Sequence, residues 1–337
     1  MLARVWKAVI KREDDYVQKA LSLEVNPDLI EIKHNGTADY GKIVYVIKEN
    51  TGSDGFCATL RFVLCFLIFA GQHGFVPKIK LTKEFAYYDA EKSIEIPNPW
   101  EYYFVPQEEN YDEGNALHVC YASYVHRDAV RNAYALNAYR VEDYHDERTI
   151  QICAPLIRKY LALKPELIHD ANALLEKSRG AGKHILGVHF RGTDYKQGYN
   201  KHPVYVDEKQ IIAEIQKAVD TGDFSTIFLA SDDATIGERI REAFRDIELL
   251  QHPDVYRSDG EQSVAFSESD RKYHHYLLGY EIARDMFTLS LCDGLVAGKS
   301  SVVFMSHLYK RSREEDYAYM RIIDNGNHVN GKEYWEQ

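Results

Sequence analysis

The stretch "ILGVHFRGTDYKQGYNKHPVY", Ile185 to Tyr205, carries the reading of the fold. It opens on an apolar run, Ile185 to Val188, with no alternation of polar residues. Such a run belongs to a strand covered on both faces, as in a parallel sheet. The run then delivers His189, Arg191, Thr193 and Asp194 within six positions. A strand that only builds a core does not end this way. In open α/β sheets, ligands bind outside the carboxyl ends of the strands. The stretch therefore predicts a buried strand that brings cationic and anionic groups to a ligand crevice.

The same pattern recurs downstream. "DEKQIIAEIQKAVDTG" (Asp207 to Gly222) predicts a helix with Ile211, Ile212, Ile215 and Val219 on one face. "STIFLASDD" predicts a strand ending in Asp232 and Asp233, and "ATIGERIREAFRD" a helix. "YEIARDMFTLSLCD" predicts a helix, and "GLVAGKSSVV" a strand running into a turn at Lys299, Ser300 and Ser301. Strands alternating with amphipathic helices indicate a parallel sheet with both faces covered. Three of these strands end in polar clusters: His189 to Asp194, Ser231 to Asp233, and Lys299 to Ser301. The fold would bring all three to one edge. Arg191 suits an anionic oxygen cluster, because its guanidinium donates in a fixed fork. Ser300 and Ser301 at a helix start offer a phosphate seat. Plainer roles stand beside these. Asp194 caps a helix or orients Arg191, Asp232 and Asp233 cap the helix at Ala234, and His189 is a core histidine. His274 and His275 are expected on the surface or in a loop.

The first half is less regular. "KIVYVIKE" (Lys42 to Glu49) reads as a strand, followed by glycines at 52 and 55, an apolar helix from Phe56 and a second strand at "PKIKLT". This progression is a βαβ unit. The aromatic-rich region Tyr87 to Tyr124 is expected as loops with short elements, lining an acceptor groove or packing the core. His126 to Arg179 reads as helical, punctuated by Pro155 and Pro165. A domain boundary is expected near Ser178 to Lys183.

The bulk numbers narrow the class. A net charge of -11 leaves no excess of Lys and Arg to track a nucleic-acid backbone. Five separated cysteines with no CxxC spacing resemble neither a disulfide framework nor a zinc site. A reducing cytoplasm is the expected compartment. "FCATLRFVLCFLIFAG" (Phe56 to Gly71) falls short of the ~20 residues a bilayer needs and is interrupted by Arg61, so it reads as a buried helix. No signal-peptide pattern is apparent at the start. The N-terminal stripe Leu2, Val5, Trp6, Val9 and Ile10 docks on the core or touches the inner face of the membrane peripherally.

"GVHFRGTD", "LASDD" and "DMFTLSLCDGLVAGKSSVV" resemble, in order and spacing, the donor-site motifs of the GDP-fucose-dependent fucosyltransferases, the α1,6-, α1,2- and protein O-fucosyltransferase superfamily. The α1,6 branch with the nodulation enzymes is the most similar. The resemblance implies an α/β chain of the GT-B kind, two Rossmann-like domains whose parallel sheets face a cleft. Residues 1–179 would present the acceptor and residues 180–337 would bind the nucleotide sugar. It implies inverting transfer of fucose or a related sugar from a GDP-sugar to a glycan hydroxyl, with no metal or other cofactor and no nucleic acid partner. Arg191 would grip the β-phosphate, His189 and Asp285 would address guanine or its ribose, and Ser300 and Ser301 the diphosphate. Gly52 and Gly55 would supply backbone donors. Asp194, Ser231 and Asp232 complete the expected donor site.

The chain departs from the resemblance in three places. Gly192 stands where α1,6 and α1,2 motifs carry a second arginine, so a phosphate contact comes from elsewhere, with Lys196, Lys299 and Arg271 as candidates. Val302 replaces a glutamine. Tyr199 occupies the position of the proposed catalytic glutamate. His202 is then the first candidate for general base, ahead of acids such as Asp54. Two rival readings remain at this point: a metal-dependent phosphohydrolase using Asp232 and Asp233, and a nucleotide-binding module without turnover.

Overall fold

The computed structural model describes residues 30–48, 55–107, 111–180, 184–258, 260 and 263–332. The N-terminal stripe, Gly52 and Asp54 lie outside these residues.

Among the described residues eight strands form two parallel sheets. β1 (Val44–Ile47), β2 (Val76–Ile79) and β3 (Val119–Tyr121) make the first, in the order β2-β1-β3. β4 (His184–Phe190), β5 (Phe224–Ser231), β6 (Glu248–Leu250), β7 (Gly294–Gly298) and β8 (Tyr319–Ile323) make the second, in the order β6-β5-β4-β7-β8. All pairs within the second sheet are parallel. The expected α/β class with Rossmann-like parallel sheets is what the chain adopts. β1, β4 and β5 are buried on both faces, as their unbroken apolar runs require. β3, β6 and β8 are short strands that the sequence pattern does not announce. β3 falls in the aromatic region expected as loops.

Helices cover both sheets. The expected apolar helix is Phe56–Gln72, apolar around most of its circumference apart from Arg61 and buried along nearly its whole length. It touches the Tyr124–Ala133 helix, and also Glu147–Tyr160 and Ser301–Ser312. Among the described residues no helix is long and apolar enough to cross a membrane. Pro155 does not punctuate the chain. It sits inside the Glu147–Tyr160 helix, whose buried Ile150, Ile152, Cys153 and Ile157 outweigh the lost backbone donor. Pro165 starts the next helix, Pro165–Gly180, as expected.

One apolar cluster runs from Tyr45 and Phe66 in the first half to Met286 and Phe304 in the second. Polar contacts also cross the halves: the Tyr309 hydroxyl donates to the Leu161 carbonyl at 2.7 Å, and Tyr103 to the Tyr276 carbonyl at 3.0 Å. Tyr87, Trp100, Tyr102, Tyr103 and Phe104 are core residues. These aromatics pack the first half and do not line an exposed groove. His274 is likewise interior, because its ring bonds the Ser267 hydroxyl at 3.1 Å as the His274–Leu291 helix begins. All five cysteines are buried free thiols.

Candidate active site

In the order β6-β5-β4-β7-β8, successive strands run one way from β4 and then return to its other side at β7. This is the topological switch point, where open α/β sheets hold ligands. The carboxyl ends of β4 and β7 carry Arg191 and the Lys299–Ser301 turn, so chain topology alone brings these two polar clusters together.

Arg191 is gripped by two carboxylates. Its Nε and Nη2 reach Asp194 Oδ1 at 2.8 and 2.7 Å, and Nη1 reaches Asp232 Oδ2 at 3.0 Å. Asp194 is buried, so the guanidinium plane is fixed by a partner that cannot swing away. Asp232 also accepts the Gly192 amide at 2.8 Å and the Thr193 hydroxyl at 2.7 Å, which shapes the turn after β4. Asp194 therefore orients Arg191, and Asp232 both orients it and organises the loop. Ser231 supports from below, its hydroxyl accepting the Asp233 amide at 3.1 Å.

Asp233 has the plainer role. It accepts the Thr235 amide and hydroxyl at 2.8 and 2.7 Å and the Ile236 amide at 3.1 Å, capping the Ile236–Ala243 helix. Burial alone would raise its carboxyl, but the Thr235 bonds and the Lys196 ammonium at 3.3 Å outweigh burial and hold it low. Gly192 follows from this cap. A Cβ at residue 192 would lie 2.5 Å from both Cβ and Oδ2 of Asp233. The position of the missing second arginine is filled by an aspartate. The three candidate replacements are engaged as well: Lys196 with Asp233, Lys299 with Asp324 and, at 2.8 Å, Asn327, and Arg271 with Glu281.

His189 is buried at the end of β4, and burial is the main force pushing its imidazole down to about 4. Arg191 adds to this and Asp232 opposes it, so the ring is neutral at physiological pH. A cavity of about 20 Å³, bordered by His189, Arg191, Tyr195, Pro203, Gly298 and Lys299, has room for roughly one water.

Ser300 is the N-cap of Ser301–Ser312, its hydroxyl accepting the Val303 amide at 3.2 Å. Its carbonyl accepts from the Tyr144 hydroxyl at 3.2 Å, so a first-half tyrosine closes over the turn. The Ser301 hydroxyl is buried and without a partner, at the positive end of this helix. Ser300 therefore caps the helix, and the Ser301 hydroxyl is left without a protein partner.

His202 lies among the rings of Tyr139, Tyr195 and Tyr199, at centroid distances of 5.4, 6.2 and 5.9 Å. Burial lowers its imidazole, Asp194 opposes this and Arg191 adds to it. A neutral imidazole beside the Arg191 cluster can accept a proton. The C-terminal segment holds its loop: the His328 amide donates to the His202 carbonyl at 2.9 Å and the Lys201 amide to the His328 carbonyl at 2.8 Å.

Asp285, in the middle of His274–Leu291, is buried with Oδ1 unpartnered. Burial pushes its carboxyl up to about 7, against the pull of Arg284 and Arg257. Asp254 and Arg257 act on it electrostatically from the 252–257 segment. Gly55 is the N-cap of Phe56–Gln72, and a side chain there would meet nothing, so its contribution is backbone alone. Among the described residues no three His, Cys, Asp or Glu side chains gather around a common metal position.

Sequence reasoning did not assign Arg61, Tyr139 or Tyr144 to the site. The one available signal was a charge inside an otherwise apolar helix.

The chain matches no protein-family model and no curated protein. Among solved structures it is similar to NodZ alpha-1,6-fucosyltransferase soaked with GDP-fucose, at 15% identity over 80% of this chain and 93% of that one, with a TM-score of 0.43. The same enzyme co-crystallised with GDP gives 14% identity over 80% and 92%, with a TM-score of 0.42. POFUT1 in complex with GDP-fucose gives 12% identity over 86% and 98%, with a TM-score of 0.44. NodZ and POFUT1 are both seen with GDP-fucose.

Proposed function

We propose that the chain is a glycosyltransferase that moves fucose, or a related sugar, from a GDP-sugar to a glycan hydroxyl, inverting the sugar centre without a metal. One observation carries this reading: the clamped guanidinium of Arg191 and the N-terminus of Ser301–Ser312 stand together at the switch point of a parallel sheet. A diphosphate placed there meets a fixed fork on one side and, on the other, helix amides with the Ser301 hydroxyl. On the same reading, residues 1–179 carry the acceptor side and 180–337 the donor side.

The chemistry follows from these groups. The acceptor oxygen attacks the anomeric carbon on the face opposite the diphosphate. The bond from that carbon to the β-phosphate oxygen breaks, and its electron pair leaves with GDP. Arg191, held in plane before the reaction, stabilises the growing charge without reorganising. His202, neutral, takes the acceptor proton, a contribution of about 10²–10⁴-fold. The unpartnered Asp285 oxygen accepts from the guanine N1–H and N2–H edge.

The phosphohydrolase reading is disfavoured by what its two carboxylates already do: Asp233 caps a helix and Asp232 holds Arg191 and its loop. A module without turnover is favoured by Gly192 at the position of the expected second arginine and Tyr199 at that of the expected glutamate. Thermal shift with GDP, UDP and ADP, followed by GDP-fucose hydrolysis with and without EDTA, tests the reading. GDP preference with EDTA-resistant turnover is expected. A UDP preference overturns the donor assignment, EDTA-sensitive turnover restores the phosphohydrolase, and binding without turnover on any acceptor leaves the module.

A further inference from the structure

Arg61 sits in the second turn of the Phe56–Gln72 helix and is 4% exposed. Its Nη1 donates to the Leu136 carbonyl at 3.2 Å, its Nε has no partner, and its guanidinium lies 5.4 and 5.7 Å from the ring centres of Phe62 and Tyr139. Among the described residues no carboxylate pairs with it. The other buried cations each have a carboxylate within reach: Arg284 has Asp254 at 2.6 Å, Lys299 has Asp324, and Lys310 has Glu315 at 3.8 Å. A buried charge without a counterion is costly. This one lacks the counterion that a ligand could bring.

A relay of ring contacts leads from Arg61, in the first half of the chain, to Arg191. The Tyr139 ring beside Arg61 is 5.4 Å from His202, His202 is 6.2 Å from Tyr195, and Tyr195 is 5.7 Å from the Arg191 guanidinium. Tyr144, whose hydroxyl reaches the Ala138 and Ser300 carbonyls, joins the same segment to the Ser301 helix start. Both guanidiniums act on the Cys57 thiol and on His202.

The charge count at the switch point asks for such a group. Arg191 with Asp194 and Asp232 sums to -1, and Lys196 with Asp233 sums to zero. A diphosphate placed there would face a net negative cluster, and Gly192 has no room for a second guanidinium. We propose that Arg61 supplies that second guanidinium, reaching from the Phe56–Gln72 helix to the diphosphate that Arg191 and the Ser301–Ser312 helix hold from the other side. That the diphosphate belongs to a GDP-sugar rests on the function proposed above; that the site takes a diphosphate does not.

Titration calorimetry on the full chain with inorganic pyrophosphate, GDP and guanosine tests this, together with melting temperatures in the absence of ligand. Arg61→Met is expected to melt at or above the wild type, because an unpaired buried charge is gone. It is expected to lose about 10- to 100-fold in affinity for pyrophosphate and GDP, with guanosine unchanged. A variant that melts lower and binds pyrophosphate like the wild type overturns the proposal and makes Arg61 a clamp on the Leu136 carbonyl. If Arg61→Met does not fold, Arg61→Lys decides: a lysine cannot span two oxygens in a fixed fork, and unchanged pyrophosphate affinity overturns the proposal. Loss of GDP binding in Arg191→Ala but not in Arg61→Met removes Arg61 while leaving the donor reading intact. Wild-type binding of pyrophosphate without GDP removes the donor reading, and the Arg61 variants still decide. Binding of neither overturns both.

Discussion

Gly192 is small because Asp233 stands where its side chain would go, and Asp233 stands there because it caps a helix. The two residues are a coupled pair, so restoring the arginine seen in related motifs is not a simple gain. Gly192→Arg is expected to lower stability by about 1–3 kcal/mol, the usual cost of overpacking, without raising GDP affinity. Denaturant titration and calorimetry on the same protein check both parts. Arg191 shows the converse dependence. Arg191→Ala is expected to remove most GDP affinity, and it also leaves Asp194 and Asp232 facing each other with their shared cation gone. A fall in melting temperature should therefore accompany the loss, and Arg191→Lys should recover much of the stability but little of the affinity, since one ammonium cannot reproduce the fork. Normal GDP binding by Arg191→Ala would sink the site.

At the scale of single elements, the proposed site rests on two helices, Ser301–Ser312 for its N-terminus and His274–Leu291 for Asp285. Ser300→Ala removes the cap of the first and is expected to cost about 1 kcal/mol, read by denaturant titration. Asp285 makes the second helix pH-sensitive. Its carboxyl is raised from an ordinary 3.8 to about 7, so the folded chain binds a proton that the unfolded chain releases. That contribution is complete below pH 3.8 and is lost as pH rises through 7. Between pH 6 and 8 the melting temperature of the wild type should therefore decline more steeply than that of Asp285→Asn. Guanine donors favour the ionised form, so GDP affinity should rise over the same interval, and a flat affinity profile would remove Asp285 from the nucleoside site. Much of this element plan was legible beforehand. β4 and β5 could be read because long apolar runs admit one explanation. β3, β6 and β8 are three to five residues long and are held by pairing to a neighbour, which no local pattern encodes. Arg191 stood out because it follows the end of an apolar strand, and its two carboxylate partners, Asp194 and Asp232, lie in strand-end clusters that the same pattern marks. Arg61 did not, because only the packing of a distant tyrosine segment shows which way an arginine in an apolar helix faces.

The two halves are joined in part through the Ser301–Ser312 helix, and this part of the junction contains a titratable group. His307 is buried between Tyr144 of the first half and Tyr317 of the second, with ring centres at 6.4 and 6.1 Å. Burial pushes its imidazole down to about 4, Arg311 adding and Asp316 opposing. His189 is pushed down to about 4 and His252 to about 3, also chiefly by burial. A histidine lowered by folding refuses a proton that the unfolded chain accepts near 6.5. Its contribution to stability is therefore full above pH 6.5 and is lost as pH falls toward 4. Asp285 works in the opposite sense over much of this range, keeping one proton in the fold. Three protons refused against one retained leave roughly two in favour of the unfolded chain near pH 5, a slope of about 3 kcal/mol per pH unit from these groups. Stability should thus fall from pH 6.5 to 5 despite the protonated Asp285. His307→Gln should remove about one proton, or roughly 1.4 kcal/mol per pH unit, from that slope. Urea titrations at half-unit intervals from pH 5 to 7 measure both slopes. Equal slopes in the two proteins would mean that the imidazole at the junction already carries its proton in the fold, and that the acid limit of the molecule is set elsewhere.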